Sequence, residues 1–149
     1  MADARMNTLL DAWAAIRALH HVLWTLHWQA EGAAAYGDHK LYQRLYGARV
    51  TEIDRMAELI AALFGPAVLD PTGSWSRAGS IIDAAAERLG SRPENAPARA
   101  LALINAAIEA VEAAEEANVG AQALAANNVL AGIADSLNNA AYLVQQRAR

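Results

Sequence analysis

The breaks in this sequence constrain its fold more than anything between them. Apolar residues recur at helical spacing from Leu9 to Glu31 (Leu10, Trp13, Ile16, Leu19, Leu23, Leu26), and the pattern stops at Gly32. Gly32 to Gly37 is a short hinge. A second helical stretch then runs from about Asp38 to Phe64 and ends at Gly65-Pro66. A third begins near Pro97, a residue suited to a first turn, and runs to about Ala117, where Asn118-Val119-Gly120 breaks it. The fourth runs from about Ala121 to Gln146, with Leu124, Leu130, Ile133, Leu137 and Leu143 on its apolar side. Two of the three links are short, but Gly65 to Asn95 spans roughly thirty residues. All four prolines lie between 66 and 97. Within the long link, SIIDAAAERLG reads as a compact helix, with Ser80 and Asp83 at capping-box spacing and Gly90 as its stop.

Short hinges make neighbouring helices antiparallel, whereas a plain up-down bundle would need only a short loop in the middle. The expected fold is therefore all-α: a ferritin-like four-helix bundle, residues 1–149 as one domain, with a short helix in the long crossover between the second and third helices. Hydrophobic types make up 55% of the chain, mostly Ala and Leu, which favour helix over strand. No internal repeat suggests a solenoid.

Charge and composition narrow the function. A net charge of −4 and an N-terminus, MADARMNTLL, without a basic cluster argue against DNA as a partner. With no cysteine, disulfides and thiolate metal sites are ruled out. The sequence reads as having no cleavable leader and no apolar run of ~20 residues to cross a bilayer, so a cytoplasmic location is expected. Phosphate-cradling glycine loops and a nucleophile elbow are missing, as is any Glu-x-x-His unit of the kind that builds a di-iron site within one bundle.

What stands out is the stretch from His27 to Glu58. His27 lies about one turn before the hinge and His39 just after it, so an antiparallel hairpin brings the two imidazoles together. Asp54 and Glu58, four residues apart, share one face of the second helix. His39 and Asp54 face broadly the same side but are separated by ~22 Å along that helix, too far to share an ion within one chain. A two-fold partner packed antiparallel would bring His27 and His39 of one chain to Asp54 and Glu58 of the other, making two sites at once. Two imidazoles and two carboxylates suit Fe²⁺, and also Zn²⁺ and Mn²⁺.

His27-Trp28 followed by Gly32, then His39, Asp54 and Ala57-Glu58, resembles the signature of the Dps mini-ferritins, with gaps of twelve, fifteen and four between the ligand positions. The motif covers about a fifth of the chain, and the helical layout extends the likeness over nearly all of it. The resemblance implies a hollow homo-oligomer, a dodecamer built from two-fold dimers, with ferroxidase sites at the two-fold interfaces. Such shells oxidise Fe²⁺ with hydrogen peroxide or O₂ and store the ferric product. Two departures stand against it. Gln43 occupies the place of the family's usual aspartate four residues after the second histidine, and the Lys/Arg-rich tail with which some members grip DNA is missing. Glu31, four residues after His27, is a candidate replacement carboxylate, and His20 lies on roughly the face of His27. The competing function is a helical oligomer held or regulated by a single Zn or Fe ion, with little ferroxidase activity.

Other residues have structural readings first. Trp13, Trp24 and Trp28 are packing residues, although Trp28 could also take up stray oxidising equivalents. Tyr36, Tyr42 and Tyr46 are expected along the dimer seam. The run Glu109, Glu112, Glu115, Glu116 and the outlying Asp135 read as solvated surface, or as a cation-gathering wall in a shell.

Overall fold

The computed structural model describes residues 2–90 and 92–149. Among the described residues five α-helices follow in order: α1 (Ala2–Trp28), α2 (Ala35–Phe64), α3 (Pro71–Leu89), α4 (Ala96–Ala117) and α5 (Ala123–Arg147). Single 3-10 turns, Pro66–Val68 and Pro93–Asn95, flank α3. No strand occurs among the described residues. The four long helices lie close to where the breakers place them, with α1 starting seven residues earlier than its apolar pattern. The crossover helix is not short. It has 19 residues and is capped by Asp70, whose carboxylate accepts from the backbone N–H groups of Thr72 and Gly73 while Pro71 opens the first turn. Ser80, expected to cap it, lies mid-helix and bonds back to the Ser76 carbonyl.

Contacts between helices fix the directions. Trp13 Nε1 donates to the Ile53 carbonyl while His27 meets His39, so numbers rise on α1 as they fall on α2. Arg49 bonds Ser136 and Asp38 pairs with Arg147, giving the same antiparallel relation between α2 and α5. Arg5, at the start of α1, bonds Asn118, just past the end of α4. Helices α2 and α4 therefore run the same way. The chain must travel back along the bundle between them, and α3 makes that return packed on α1 and α4.

One apolar core joins α1, α2, α4 and α5, including Leu9, Ile16, Leu23, Met56, Ile60, Ile104, Leu130, Ile133 and Val144. Tyr42 belongs to this core at 2% exposure instead of lying on a seam. Leu124 departs the other way, 78% exposed in the first turn of α5. Where α2 and α5 meet, the gap is filled by a buried ion pair. Arg49 Nε lies 2.7 Å from Glu52 Oε2, and its Nη2 donates to Glu52 Oε1 and to Ser136 Oγ, both at 2.8 Å. No helix among the described residues is long and apolar enough to cross a membrane.

Candidate metal centre

The α1–α2 hairpin carries the candidate site. Helix α1 ends at Trp28, and Gly32 (φ +77°) reverses the chain before α2 begins at Ala35. That reversal stacks the His27 and His39 rings at 3.7 Å between centroids. His27 Nδ1 lies 2.9 Å from the His39 carbonyl oxygen, and His39 Nδ1 lies 3.1 Å from that of His27. A carbonyl can only accept, so in both contacts Nδ1 is the donor and carries the proton. In the neutral rings each Nε2 then holds a lone pair that neither bond uses. A backbone carbonyl holding Nδ1–H is the usual support for an imidazole that binds metal through Nε2. His27 is buried and His39 half-buried, so the pair sits at the protein's edge.

Asp54 and Glu58 are both exposed, one turn apart on α2. Within one chain they do not join the imidazoles: no group of three or more His, Asp or Glu residues able to hold a metal occurs among the described residues. Tyr36, Gln43, Gly47, Val50, Asp54 and Glu58 fall within roughly 80° on one side of α2, and all six are exposed. Tyr36 and Val50 are large hydrophobics at 78% and 54% exposure. Along α2 this side runs from Tyr36 and the half-buried His39 past Gln43, Gly47 and Val50 to Asp54 and Glu58.

Rings extend the site along α1. Tyr46 meets His27 edge-on at 5.3 Å and Trp24 at 5.8 Å; Trp24 reaches Trp28 at 5.0 Å and His20 at 5.5 Å. Trp13 is core, whereas Trp28 packs one face on Trp24 and remains 64% exposed. His20 lies against Trp24 and Tyr46 and is not grouped with His27. Burial, then the neighbouring His21, lowers its pKa below the ordinary 6.5.

Glu31 does not share a helix face with His27. The helix stops at Trp28, and Glu31 lies in the link, lining a cavity of about 560 Å³ with Asp38, Tyr42, Glu94 and Arg147. Burial and the nearby Asp38 push the Tyr42 phenol up to about 12. Gln43 is exposed, and its Oε1 accepts from Lys40 Nζ at 3.3 Å. The acidic residues Glu109, Glu112, Glu115 and Glu116 are all exposed on α4, as is Asp135 on α5. Sequence reasoning missed Arg49 and Glu52, whose i,i+3 spacing on α2 is their only signal.

An antiparallel four-helix bundle whose parallel second and third long helices are joined by a crossover helix is the ferritin-like class of fold. Solved structures define its form more narrowly. An archaeal Dps homologue from Halobacterium salinarum matches with a TM-score of 0.80 and 19% identity over 97% of this chain and 79% of its own. A Dps1 point mutant from Mycobacterium smegmatis matches at 0.78 and 19% identity, over 99% and 97%. DpsC from Streptomyces coelicolor matches at 0.75 and 22% identity, over 100% and 87%. No family model matches the sequence, and no curated protein does. The chain has the Dps-like form of the ferritin-like fold.

Proposed function

We propose that this protein is an iron-oxidising and iron-storing homo-oligomer of the Dps kind, in which Fe²⁺ is a substrate bound between two chains. His27 and His39 of one chain and Asp54 and Glu58 of the other form the site. The observation carrying this reading is the reciprocal Nδ1-to-carbonyl bonding of His27 and His39. It fixes both tautomers and leaves two Nε2 donors beside a helix face whose far end holds two exposed carboxylates. An antiparallel copy would set the imidazole end of each chain beside the carboxylate end of the other, making two such sites at once.

Hydrogen peroxide accepts two electrons and two protons to give two waters, so each peroxide consumes two Fe²⁺ ions. The carboxylates hold the growing charge of Fe³⁺ better than they hold Fe²⁺, which favours oxidation at the site. The ferric product moves into the interior of a hollow assembly. Gln43 favours a second reading, a single Zn or Fe ion serving as an interface staple, since a neutral amide bonded to Lys40 adds no charge for a second iron.

The test is Fe²⁺ oxidation by peroxide, followed by its ferric absorbance and by the size of the soluble product. Parent protein is expected to build a soluble ferric core, and a His39→Ala, Asp54→Ala double variant is expected to fall to the rate of protein-free buffer. Equal rates for the two would reject the assignment. A parent that purifies with zinc, loses its assembly on chelation and ignores Fe²⁺ would establish the staple instead.

A further inference from the structure

Gly47 occupies the middle of α2 on the exposed side shared by Tyr36, Val50 and Asp54. A Cβ built on it meets nothing within 4 Å. Glycine is a poor helix former, and nothing inside the protomer calls for one at this position. The reason lies outside the protomer. For His39 of one copy to face both Asp54 and Glu58 of an antiparallel copy, the two-fold axis must pass alongside the position halfway between them, at Gly47 and Ala48. Resting on the between-chain site proposed above, we propose that Gly47 is the crossing point of the two α2 helices and the positioning residue that sets how closely imidazoles and carboxylates approach. With no side chain there, the backbones can come together. Val50 and Gln43 flank the crossing, while Trp28 and Tyr36 lie toward its ends.

The chain has no cysteine, so a single introduced thiol reports its own symmetry mate. Gly47→Cys is expected to form a disulfide-linked dimer rapidly on mild oxidation, because bridging needs Cα atoms within about 7 Å. Tyr36→Cys is expected to resist, since antiparallel helices crossing at Gly47 put the two copies of position 36 roughly 34 Å apart. Equal cross-linking of both would overturn the proposal. Gly47→Leu adds a better helix former, so the protomer should keep its far-UV helicity. It is expected to sediment as a monomer and to lack the visible Co²⁺ bands expected of the parent. Gly47→Ala is expected to keep the dimer yet hold Co²⁺ about tenfold more weakly, a change that packing alone would not produce. A Gly47→Leu protein with the parent's assembly and Co²⁺ spectrum would overturn the inference. If His39→Ala still abolishes Co²⁺ binding in that case, only the role of Gly47 falls. If the parent binds no Co²⁺ through His39, both fall together.

Discussion

At Arg49 a full charge is held at 1% exposure. Burial drives both partners of its pair toward neutrality, lowering the Arg49 pKa and raising that of Glu52, while their mutual attraction opposes the shift in each. Such a pair adds little over well-packed apolar residues, but breaking it leaves a buried charge alone. Arg49→Met should therefore destabilise the protomer by about 3–5 kcal/mol, and Arg49→Met with Glu52→Leu should recover most of that loss. Urea midpoints measured on the same fragment of the pH range settle it; a single variant as stable as the double would refute the charge argument. His20 gives a second prediction. Its folded pKa lies below 6.5, so the unfolded chain binds its proton first as the pH falls. The contribution of neutral His20 is present above pH 6.5 and is lost as acid carries the solution through the folded pKa. His20→Gln should flatten the fall in melting temperature between neutral and mildly acidic pH, and an unchanged slope would assign that fall to other groups. Neither effect is legible in sequence: Arg49 looks like an ordinary surface position, and His20, although placed near the face of His27, shows no sign of its burial until neighbouring side chains cover it.

The elements show where local signals compete. Gly65 takes φ +87° and ψ 155°, a region almost closed to other residues, and with Pro66 behind it α2 cannot continue. Breakers of that strength made the ends of the four long helices readable within a few residues, except the start of α1, which no breaker marks. The crossover was harder, because Asp70-Pro71 reads equally as a turn and as a helix start. Ser80 and Asp83 offered a second start nine residues on from Pro71, and the earlier one prevails because Ser74 and Ala78 are buried against the bundle. Asp70→Ala removes two N–H bonds from the true cap and should cost roughly 1 kcal/mol in thermal unfolding. Ser80→Ala should cost little, since its hydroxyl only bonds back along the helix. The reverse ranking would place the start of α3 at Ser80. Glu31 illustrates the same limit: its four-residue spacing from His27 means a shared face only if the helix continues, and it ends at Trp28.

For the whole molecule, the decisive feature is that one chain pairs the imidazoles of His27 and His39 but does not group them with the carboxylates of Asp54 and Glu58, which the proposed function joins across two chains. The sequence spacing already separates His39 from Asp54 along one helix, and the fold keeps them apart, so what single-chain reasoning cannot supply is the partner. Symmetry turns this into a prediction about mixtures. In a dimer pairing a His39→Ala chain with an Asp54→Ala chain, one site joins both lesions and is dead. The other joins the intact histidines of the second chain to the intact carboxylates of the first, and it is complete. Random reassembly of equal amounts gives half mixed dimers with one working site of two, so about a quarter of the parent's peroxide-driven Fe²⁺ oxidation should return. Each variant alone should show none. A site contained within a single chain would gain nothing from mixing, because every chain in the mixture carries a lesion of its own. Reassembly after denaturation, followed by rates measured at equal total protein, separates these outcomes. Recovery near a quarter supports sites shared across a two-fold axis, and no recovery in verified mixed dimers would remove the partner's carboxylates from the site.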